Sequence, residues 1–246
     1  MNERIAVVTG ASSGIGEASA RALAQAGFRV VCAARRRDRV EALAAQIGGV
    51  AVVCDITAEA DVQNLARVAG PAVDVLVNNA GGAFGQDSVA DADMADWQRM
   101  FDINVIGTGR VTQALLPALR ACQGTVIFIT STAAEAAYEG GAAYCGTKAA
   151  ERSMASALRL ELNGEQVRVC EICPGMVRTD EFSLVRFRGN QAKVDAVYAG
   201  VDEPLVAEDV ADAVAWVATR PHHVTVERLV IRPVDQAANH KVFRRG

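Results

Sequence analysis

The sequence predicts an α/β protein in which helices cover both faces of a mostly parallel, seven-stranded sheet. Three observations favour this class. Short runs rich in valine and isoleucine recur along the chain, helical patterns separate most of them, and the first run passes through a glycine-rich turn into a helix. Strands that alternate with helices form parallel sheets, because each helix returns the chain to the edge where the preceding strand began. The 246 residues contain no linker rich in Pro, Gly or Ser, so residues 1–246 suit a single doubly wound domain.

Each element follows from its apolar pattern. Short β-branched runs predict buried strands, and apolar residues that recur every three or four positions predict helices. The predicted strands are Ile5–Val8, Arg29–Ala33, Val50–Cys54, Val73–Val77, Thr125–Ile129, Val167–Cys173 and Arg228–Ile231. The predicted helices are the segment that follows Gly16, then Arg39–Gln46, Val62–Val68, Trp97–Arg120 and Ala143–Leu162. A polar segment at 179–203 breaks the alternation and is predicted to be a substrate-binding loop or lid, because such loops follow the carboxyl ends of strands.

Composition excludes several classes of protein. Hydrophobic residues make up 51% of the chain, which argues against disorder. The net charge is −4 and the basic residues are scattered, so no nucleic-acid partner is expected. No apolar stretch reaches the length of a membrane span and no signal-like leader precedes the first strand, so we expect a soluble, cytoplasmic protein that does not bind membranes.

The six cysteines do not predict a metal site. Cys170 and Cys173 have the C-x2-C spacing, but they fall within a predicted strand. Residues three apart on a strand point to opposite faces, so the two thiolates would not reach one ion. We expect no bound metal.

A glycine-rich turn after the first predicted strand has the composition of a phosphate-binding loop. It comprises Gly10, Ser12, Ser13, Gly14, Ile15 and Gly16. Glycines let a pyrophosphate approach the backbone, and the start of the following helix offers free N–H groups to an anion. The spacing is Gly-x3-Gly-x-Gly, and a tight turn without a ligand is the alternative.

Tyr144 and Lys148 lie four residues apart in a predicted helix, so their side chains project from one face. An ammonium close to a phenol favours the phenolate, which makes the phenol a usable proton donor and acceptor. On an ordinary surface helix the same spacing would be a solvated pair. The rest of the chain favours the catalytic interpretation.

Taken together, these features resemble the short-chain dehydrogenase/reductase family in its classical, compact branch, which has a Rossmann fold. The resemblance covers essentially the whole chain, and its motifs occur in the expected order. They are Thr9-Gly10-x3-Gly14-x-Gly16, Asp55, Asn78-Asn79-Ala80-Gly81, Asn104, Ser131, Tyr144-x3-Lys148 and Pro174-Gly175.

The resemblance implies a set of cofactor contacts. Asp55, with Ile56, would contact the adenine ring, and Asn78, Ala80 and Gly81 would line the adenosine ribose. The segment beginning at Pro174-Gly175 would hold the nicotinamide carboxamide, through the backbone of Val177 and the hydroxyl of Thr179. Asp55 as a helix cap, and residues 78–81 as an ordinary turn, remain the alternatives.

The resemblance also implies a catalytic set. Tyr144 would exchange a proton with the substrate oxygen, and Lys148 would assist it and hold the nicotinamide ribose, so both also count as cofactor contacts. Ser131 would hydrogen-bond the substrate oxygen and is preferred over Thr130 and Thr132, because its distance of 13 residues from Tyr144 matches the family. Asn104 would anchor a water molecule of a proton relay.

The second strand ends without the acidic residue that would favour NAD, and arginines at 35–37 follow it. Guanidinium groups suit a 2′-phosphate, which favours NADP(H). Arg35 is the first candidate for this contact and Arg36 the second, with Ser12 or Ser13 assisting. A solvated basic turn is the alternative.

The substrate is less well determined. The segment after Pro174 and the C-terminal residues near 231–236 resemble NADP-dependent 3-hydroxy-acid and serine dehydrogenases, which oxidise the β-hydroxyl of small acids. Arg178, Arg186 or Arg188 would bind the substrate carboxylate, unless these arginines are solvated or meet a neighbouring subunit. The alternatives are a broad carbonyl or ketone reductase, a non-catalytic NADP(H) sensor, and an epimerase or dehydratase of the extended branch. The resemblance further implies a homodimer or homotetramer, although core packing also explains the alanine-rich helices.

Overall fold

The structure is a computed structural model that describes residues 3–179 and 181–245. Seven parallel strands form one sheet in the order β3-β2-β1-β4-β5-β6-β7, which confirms the predicted fold class. These strands are β1 (Arg4–Thr9), β2 (Phe28–Ala34), β3 (Val50–Val53), β4 (Val75–Asn78), β5 (Thr125–Ile129), β6 (Arg168–Pro174) and β7 (Arg228–Ile231). β8 (Gln236–Ala238) and β9 (Lys241–Val242) form a separate antiparallel hairpin.

Helices connect the strands. They are α1 (Gly14–Gln25), α2 (Arg37–Ile47), α3 (Glu59–Ala69), α4 (Met94–Phe101), α5 (Thr108–Cys122), α6 (Ala142–Glu161), α7 (Phe182–Arg186), α8 (Gln191–Tyr198) and α9 (Ala207–Ala218). The predicted lid segment thus contains the two short helices α7 and α8. No helix within the described ranges is both long enough and apolar enough to cross a membrane.

The sheet is buried on both faces because helices pack on each side. Residues of α1, α2 and α9 form one apolar cluster with the first face, represented by Leu23, Val40 and Val214. Residues of α3, α5 and α6 form a second cluster with the opposite face, represented by Leu65 and Leu115. A strand buried on both faces has no polar side, which is why its sequence is a continuous apolar run.

The single predicted helix over Trp97–Arg120 is interrupted. α4 ends at Phe101, and a wider π-helical turn, Asp102–Gly107, leads into α5. Such turns insert a residue into the helical repeat and re-aim the side chains around them, often at functional sites. Apolar periodicity does not reveal an interruption that keeps the helix axis continuous.

The loops that follow β1 and β4 are tied together at the centre of the sheet. The Thr9 hydroxyl accepts hydrogen bonds from the backbone N–H groups of Asn79 and Ala80, each at 3.0 Å, and donates to the Val77 carbonyl at 3.2 Å. The Asn79 amide in turn donates to the Thr9 carbonyl at 2.9 Å. These bonds fix the point where the strand order reverses, which is where doubly wound folds bind ligands.

We expect Thr9→Val to lower the free energy of unfolding by about 1–3 kcal/mol, because two backbone N–H groups lose their buried acceptor while the side-chain volume is kept. Thr9 is 2% exposed. Urea denaturation followed by circular dichroism measures the change. Thr225→Val, at an exposed position, is the control and should stay within about 0.5 kcal/mol of the parent. Equal effects of the two substitutions would contradict the structural role of Thr9.

Candidate active site

A cleft of about 1400 Å³ runs along the carboxyl ends of the strands. The turn after β1, the loops after β2 and β3, the start of α6 and the segment after β6 all line it. Most of the site residues predicted from the sequence lie on its walls. The cleft is long enough to be shared by an extended ligand and a smaller molecule beside it.

The glycine turn is shaped by close backbone contacts. Gly10 adopts a left-handed backbone with φ of 66°, and a Cβ atom there would lie 2.9 Å from the Cα of Ala80. A Cβ on Gly16 would lie 2.3 Å from the carbonyl oxygen of Gly10. Only glycine fits these two positions, so the start of α1 approaches the sheet closely and its first N–H groups face the cleft. Ser12, Ser13, Gly14 and Ile15 also line the cleft here.

The turn after β2 places Arg36, rather than Arg35, against the serines. The Arg36 guanidinium donates to the hydroxyl of Ser12 at 2.8 Å and to that of Ser13 at 2.7 Å. The Glu181 carboxylate accepts from Arg36 at 2.7 Å and from Arg39 at 2.5 Å. We call the side chains of Ser12, Ser13, Arg36 and Arg39 the anion cradle, and Glu181 is the group that it holds.

Glu181 is held in its charged form by the anion cradle. Partial burial opposes ionisation, but hydrogen bonds from Arg36, Ser13 and Arg39 outweigh it and lower the pKa of Glu181. The cradle therefore already holds a negatively charged group at the start of α1.

Arg35 is close enough to Asp55 for its positive charge to act on that carboxyl group. Burial opposes ionisation of Asp55, but hydrogen bonds from the Thr57 N–H and hydroxyl, and the Arg35 charge, together lower its pKa. Asp55 and Ile56 both line the cleft. Arg36, the second candidate for the 2′-phosphate contact, thus lies against Ser12 and Ser13, and Arg35, the first candidate, also lines the cleft.

The loop after β4 presents mainly its backbone to the cleft. Ala80 and Gly81 line the cleft. The Asn78 side chain is directed away from it: the amide is buried and donates to the hydroxyl of Thr112 on α5 at 2.8 Å. A ribose contact at Asn78 would therefore use its backbone.

Asn104 connects three elements from within the π-helical turn. Its side-chain oxygen accepts from the N–H of Gly82 at 2.9 Å, and its amide donates to the carbonyl of Gly82 at 2.9 Å. The amide also lies 3.4 Å from the hydroxyl of Thr147 on α6. Asn104 is fully buried. The side chain thus fixes the position of the loop after β4 relative to the helix that carries Tyr144.

Tyr144 and Lys148 lie on one face of α6, as their spacing predicts. The Lys148 ammonium lies 5.9 Å from the centre of the Tyr144 ring and donates to the Ile129 carbonyl at 3.1 Å. It also donates to the carboxylate of Glu151, one turn further along the helix, at 2.7 Å. Burial alone would lower the pKa of Lys148, but the Glu151 carboxylate outweighs that effect and raises it, so the side chain carries its charge.

Ser131 follows β5 and begins a short 3₁₀ helix. Its hydroxyl oxygen accepts from the N–H of Ala133 at 3.1 Å, and the residue lines the cleft. The neighbouring Thr130 hydroxyl is turned inward and donates to the buried Glu171 carboxylate at 2.8 Å. The geometry therefore favours Ser131 over Thr130 as the hydroxyl that faces a ligand.

The segment after β6 passes over the opening of the cleft. Pro174, Gly175, Val177 and Thr179 line it, and the side chain of Thr179 would lie 3.4 Å from a Cβ atom on Gly14. The hydroxyl of Tyr198 donates to the carbonyl of Val177 at 2.9 Å. A carboxamide contact at Val177 would therefore use its N–H group.

The three candidate arginines for a substrate carboxylate have different surroundings. Arg188 donates to Asp96 at 2.5 Å and its side chain is 66% exposed. The Arg178 guanidinium stacks 4.8 Å over the ring of Tyr198. The Arg186 guanidinium faces the site, 5.6 Å from the centre of the Tyr144 ring.

Arg186 is fixed in the cleft but incompletely bonded. Its Nε donates to the carbonyl of Gly85 at 3.2 Å, and the N–H of Gly85 donates to the carbonyl of Arg186 at 2.9 Å. The Nη2 atom is buried and has no hydrogen-bond partner among the residues at 3–179 and 181–245. A buried guanidinium N–H without an acceptor is costly and marks a place for an incoming acceptor.

Sequence reasoning did not identify several residues that shape the site. Gln236 in β8 accepts from the N–H of Met176 at 2.8 Å and so supports the segment after β6. The ring of Phe182 packs at 5.8 Å against that of Tyr144. Glu151 could have been found, because Lys148-x2-Glu151 places both side chains on one helical face. Glu181 could not, because its partner Arg36 lies 145 positions away.

The parallel sheet with reversed strand order, the glycine turn and the adjacent Tyr–Lys pair define a nucleotide-dependent oxidoreductase of Rossmann type. The sequence model of the short chain dehydrogenase family matches residues 4–186. The chain belongs to this family.

Relatives extend over nearly the whole chain. An uncharacterized oxidoreductase of Mycobacterium tuberculosis is 57% identical over 96% of this chain and 93% of its own length. A serine 3-dehydrogenase of Agrobacterium fabrum is 42% identical over 97% of each chain. An NADP-dependent 3-hydroxy acid dehydrogenase of Salmonella typhi is 40% identical over 95% of this chain and 96% of its own.

A solved structure shares the same architecture. The closed form of a serine dehydrogenase complexed with NADP+ superposes with a TM-score of 0.91 at 37% identity, covering 98% of this chain and all of the other. At this identity the likeness extends beyond the fold alone.

Proposed function

We propose that this NADP-dependent oxidoreductase transfers a hydride between the nicotinamide and a small 3-hydroxy acid or its semialdehyde. The observation that carries the substrate class is the Arg186 guanidinium, fixed beside Tyr144 with a buried Nη2 that has no partner among the described residues. The relatives named as serine and 3-hydroxy acid dehydrogenases support the same class.

The residues of the cleft fit NADP(H). The start of α1 meets the sheet too closely for any side chain at Gly10 or Gly16, as pyrophosphate binding requires. The anion cradle already holds the Glu181 carboxylate, so it accommodates a charged oxygen group, and a 2′-phosphate provides more acceptors for the same donors. Asp55 and Ile56 would contact the adenine, Ala80, Gly81 and the Asn78 backbone the adenosine ribose, and Pro174, Gly175, Val177 and Thr179 the nicotinamide.

When bound, NADP(H) supplies the hydride donor or acceptor. The chain supplies the proton and the orientation. Tyr144 donates its phenolic proton to the carbonyl oxygen during reduction and takes it back during oxidation. Ser131 donates a hydrogen bond to the same oxygen, where negative charge develops, and such a bond is worth a few kcal/mol. Asn104 would hold the relay that restores the proton of Tyr144.

Lys148 supports this role because its position and charge are both fixed. The ammonium is buried, bonded to Ile129 and Glu151, and directed at the face of the Tyr144 ring. A fixed positive charge in a low-dielectric site favours the phenolate far more than a solvated one does. The same ammonium would hold the nicotinamide ribose.

Arg186 supplies the carboxylate partner in this proposal. Its Nε is engaged by Gly85, which leaves the terminal nitrogens to face the region between Tyr138 and Tyr144. A carboxylate there gains charge-assisted hydrogen bonds from a preorganised donor. The hydroxyl-bearing carbon of a 3-hydroxy acid is separated from its carboxylate by one carbon, so both groups can be reached within one small molecule.

The alternative is a broad carbonyl or ketone reductase on the same fold. Phe182 and the tyrosine rings near Arg186 favour it, since they give the substrate end of the cleft apolar surface. It requires turnover of uncharged ketones at least as fast as turnover of hydroxy acids, and no dependence on Arg186. A non-catalytic NADP(H) sensor would have no use for a phenol with a buried ammonium beside it.

The further expectations concern the setting of the enzyme. We propose that the chain works in the cytoplasm, because its six cysteines are all free thiols, as a reducing compartment maintains them. We propose a homodimer or homotetramer because apolar side chains are exposed on the helical layer, with Leu160 79% and Ile106 53% exposed. The segment 179–203 would close over the substrate as a lid.

We expect Arg36→Leu to raise the Kd for NADP+ about 10- to 100-fold while changing the Kd for NAD+ by less than about threefold, because charge-assisted bonds to a 2′-phosphate are lost. Cofactor titrations of intrinsic fluorescence measure both constants. Arg35→Leu is the matched control and should affect the two cofactors alike. If Arg35→Leu changed the NADP+/NAD+ ratio more than Arg36→Leu, the assignment of the cradle would be wrong.

We expect Tyr144→Phe to lower kcat by about 10²- to 10⁴-fold, the usual contribution of a general acid. The ring remains in place, so the Kd for NADPH should change by less than about threefold. Stopped-flow turnover and fluorescence binding supply the two readouts. Near-normal kcat in this variant would exclude Tyr144 as the proton donor.

We expect Arg186→Met to raise KM for 3-hydroxypropionate about 10- to 100-fold and to leave KM for its methyl ester nearly unchanged, because only the acid uses the guanidinium. Arg188→Met, which removes a solvent-facing arginine paired with Asp96, should change neither constant by more than about threefold. Equal losses for acid and ester would contradict the proposed carboxylate contact.

A further inference from the structure

A buried carboxylate, that of Glu151, follows the Tyr144–Lys148 pair on α6. Glu151 is 3% exposed as a residue and its Oε2 lies 2.7 Å from the Lys148 ammonium, whose own side chain is 6% exposed. A buried carboxylate on a helix that faces the core has a high desolvation cost. The proposed proton transfer does not by itself require a negative charge at this position.

The three side chains share one helical face. Tyr144, Lys148 and Glu151 are separated by four and then three residues on α6, so they follow one another along two helical turns. The ammonium lies between the phenol and the carboxylate. It has three N–H donors, of which the Ile129 carbonyl and Glu151 take two, and the residue also lines the cleft.

We propose that Glu151 is a positioning residue for Lys148, which fixes the ammonium and offsets part of its charge at Tyr144. This inference rests on the proposed role of Tyr144 as the proton donor. The Lys148 ammonium and the Arg186 guanidinium, which lies 5.6 Å from the centre of the Tyr144 ring, both stabilise negative charge on the phenol, and a phenolate cannot donate the proton that reduction needs. The carboxylate behind the ammonium returns the phenol toward its protonated form and so sets the pH range in which both directions run.

The charged groups around Glu151 fit this role. Lys148 is its counter-ion on α6, and Glu171 on β6 is the nearest other carboxylate. Glu171 is itself bonded to the Thr130 hydroxyl and lies 3.8 Å from the Arg152 guanidinium. Burial raises the pKa of Glu151 to about 7, with Lys148 opposing the rise and Glu171 adding to it. The carboxylate is therefore ionised above neutral pH, where oxidation is favoured.

The test compares Glu151→Gln with the parent over a range of pH. Glutamine keeps an oxygen acceptor for Lys148 but removes the negative charge, so the uncompensated ammonium should favour the phenolate. The two side chains are seven residues apart, which is about 10 Å on a helix, so the lost charge still acts on the phenol. We expect two changes in the pH profile of kcat/KM. The limb that rises with pH for oxidation and the limb that falls with pH for reduction should both move to lower pH. The shift should be about half a unit to one unit.

Two further variants separate a charge effect from a structural one. Glu151→Met removes both the charge and the acceptor, so the ammonium loses a fixed partner and the plateau kcat should fall at least about tenfold. Glu165→Gln removes a surface carboxylate paired with Arg120 and matches the change in net charge. It should leave the profile in place. A merely structural Glu151 would lower the plateau in both position-151 variants without moving either limb.

Tyrosinate absorbance gives a readout that does not depend on turnover. The ultraviolet titration of each protein, minus that of the same protein carrying Tyr144→Phe, isolates the ionisation of Tyr144. We expect it at lower pH in Glu151→Gln than in the parent. Superimposable titrations and rate profiles would overturn the inference while leaving the proposed function intact. An active Tyr144→Phe enzyme would instead refute the proposed function itself.

Discussion

The common direction of the seven strands determines where every functional side chain lies. Because all the strands are parallel, their carboxyl ends meet at one edge, and each loop that leaves this edge contributes to the same cleft. The order reverses between β1 and β4, so the chain leaves these two strands in different directions and opens the cleft between them. Hydrogen bonds between Thr9 and Asn79 fix the spacing between the loops that follow β1 and β4. Without that junction, neither the glycine turn nor the loop after β4 would have a defined position.

The helix α6 gives the proposed reacting groups, Tyr144 and Lys148, a rigid support. Thr147 lies within reach of Asn104 in the π-helical turn, and Lys148 donates to the end of β5 at Ile129. The helix is thereby tied to the two elements that border the cleft. A site carried on a packed helix is held more narrowly than one carried on loops alone, which suits a proton transfer that depends on short distances.

The sequence predicts the fold well because its signals are local. All seven strands of the sheet are found within two residues of their expected bounds, as continuous apolar runs indicate, and the Tyr144–Lys148 spacing places both residues on one face. The broken helix at Asp102–Gly107 and the hairpin of β8 and β9 have no such signal. The first depends on a single inserted residue, and the second is held by contacts with distant segments, between Gln236 and Met176 and between Asn239 and Thr132.

The polar contacts within the site are harder to predict than its members. The motif identifies Asn78 as a site residue, but its amide turns inward to Thr112. Arg35 and Arg36 are adjacent and chemically identical, so the sequence does not tell which of them faces the serines. In the structure the turn places Arg36 against the serines and Arg35 within range of Asp55. Side-chain direction after a strand end is set by tertiary neighbours, which a single sequence does not reveal.

The short helix α7 links the two ends of the cleft. Glu181, immediately before it, occupies the anion cradle, while Phe182 and Arg186 within it contact the ring of Tyr144. A 2′-phosphate that binds Arg36 must share the guanidinium with the Glu181 carboxylate or displace that carboxylate. Two anions that contact one guanidinium repel each other. Displacement would move the residue just before α7, and therefore the segment that presents Arg186. Under the proposed function, recognition of the phosphate and of the substrate carboxylate would thus depend on one segment of chain, although the two anions would bind at opposite ends of the site.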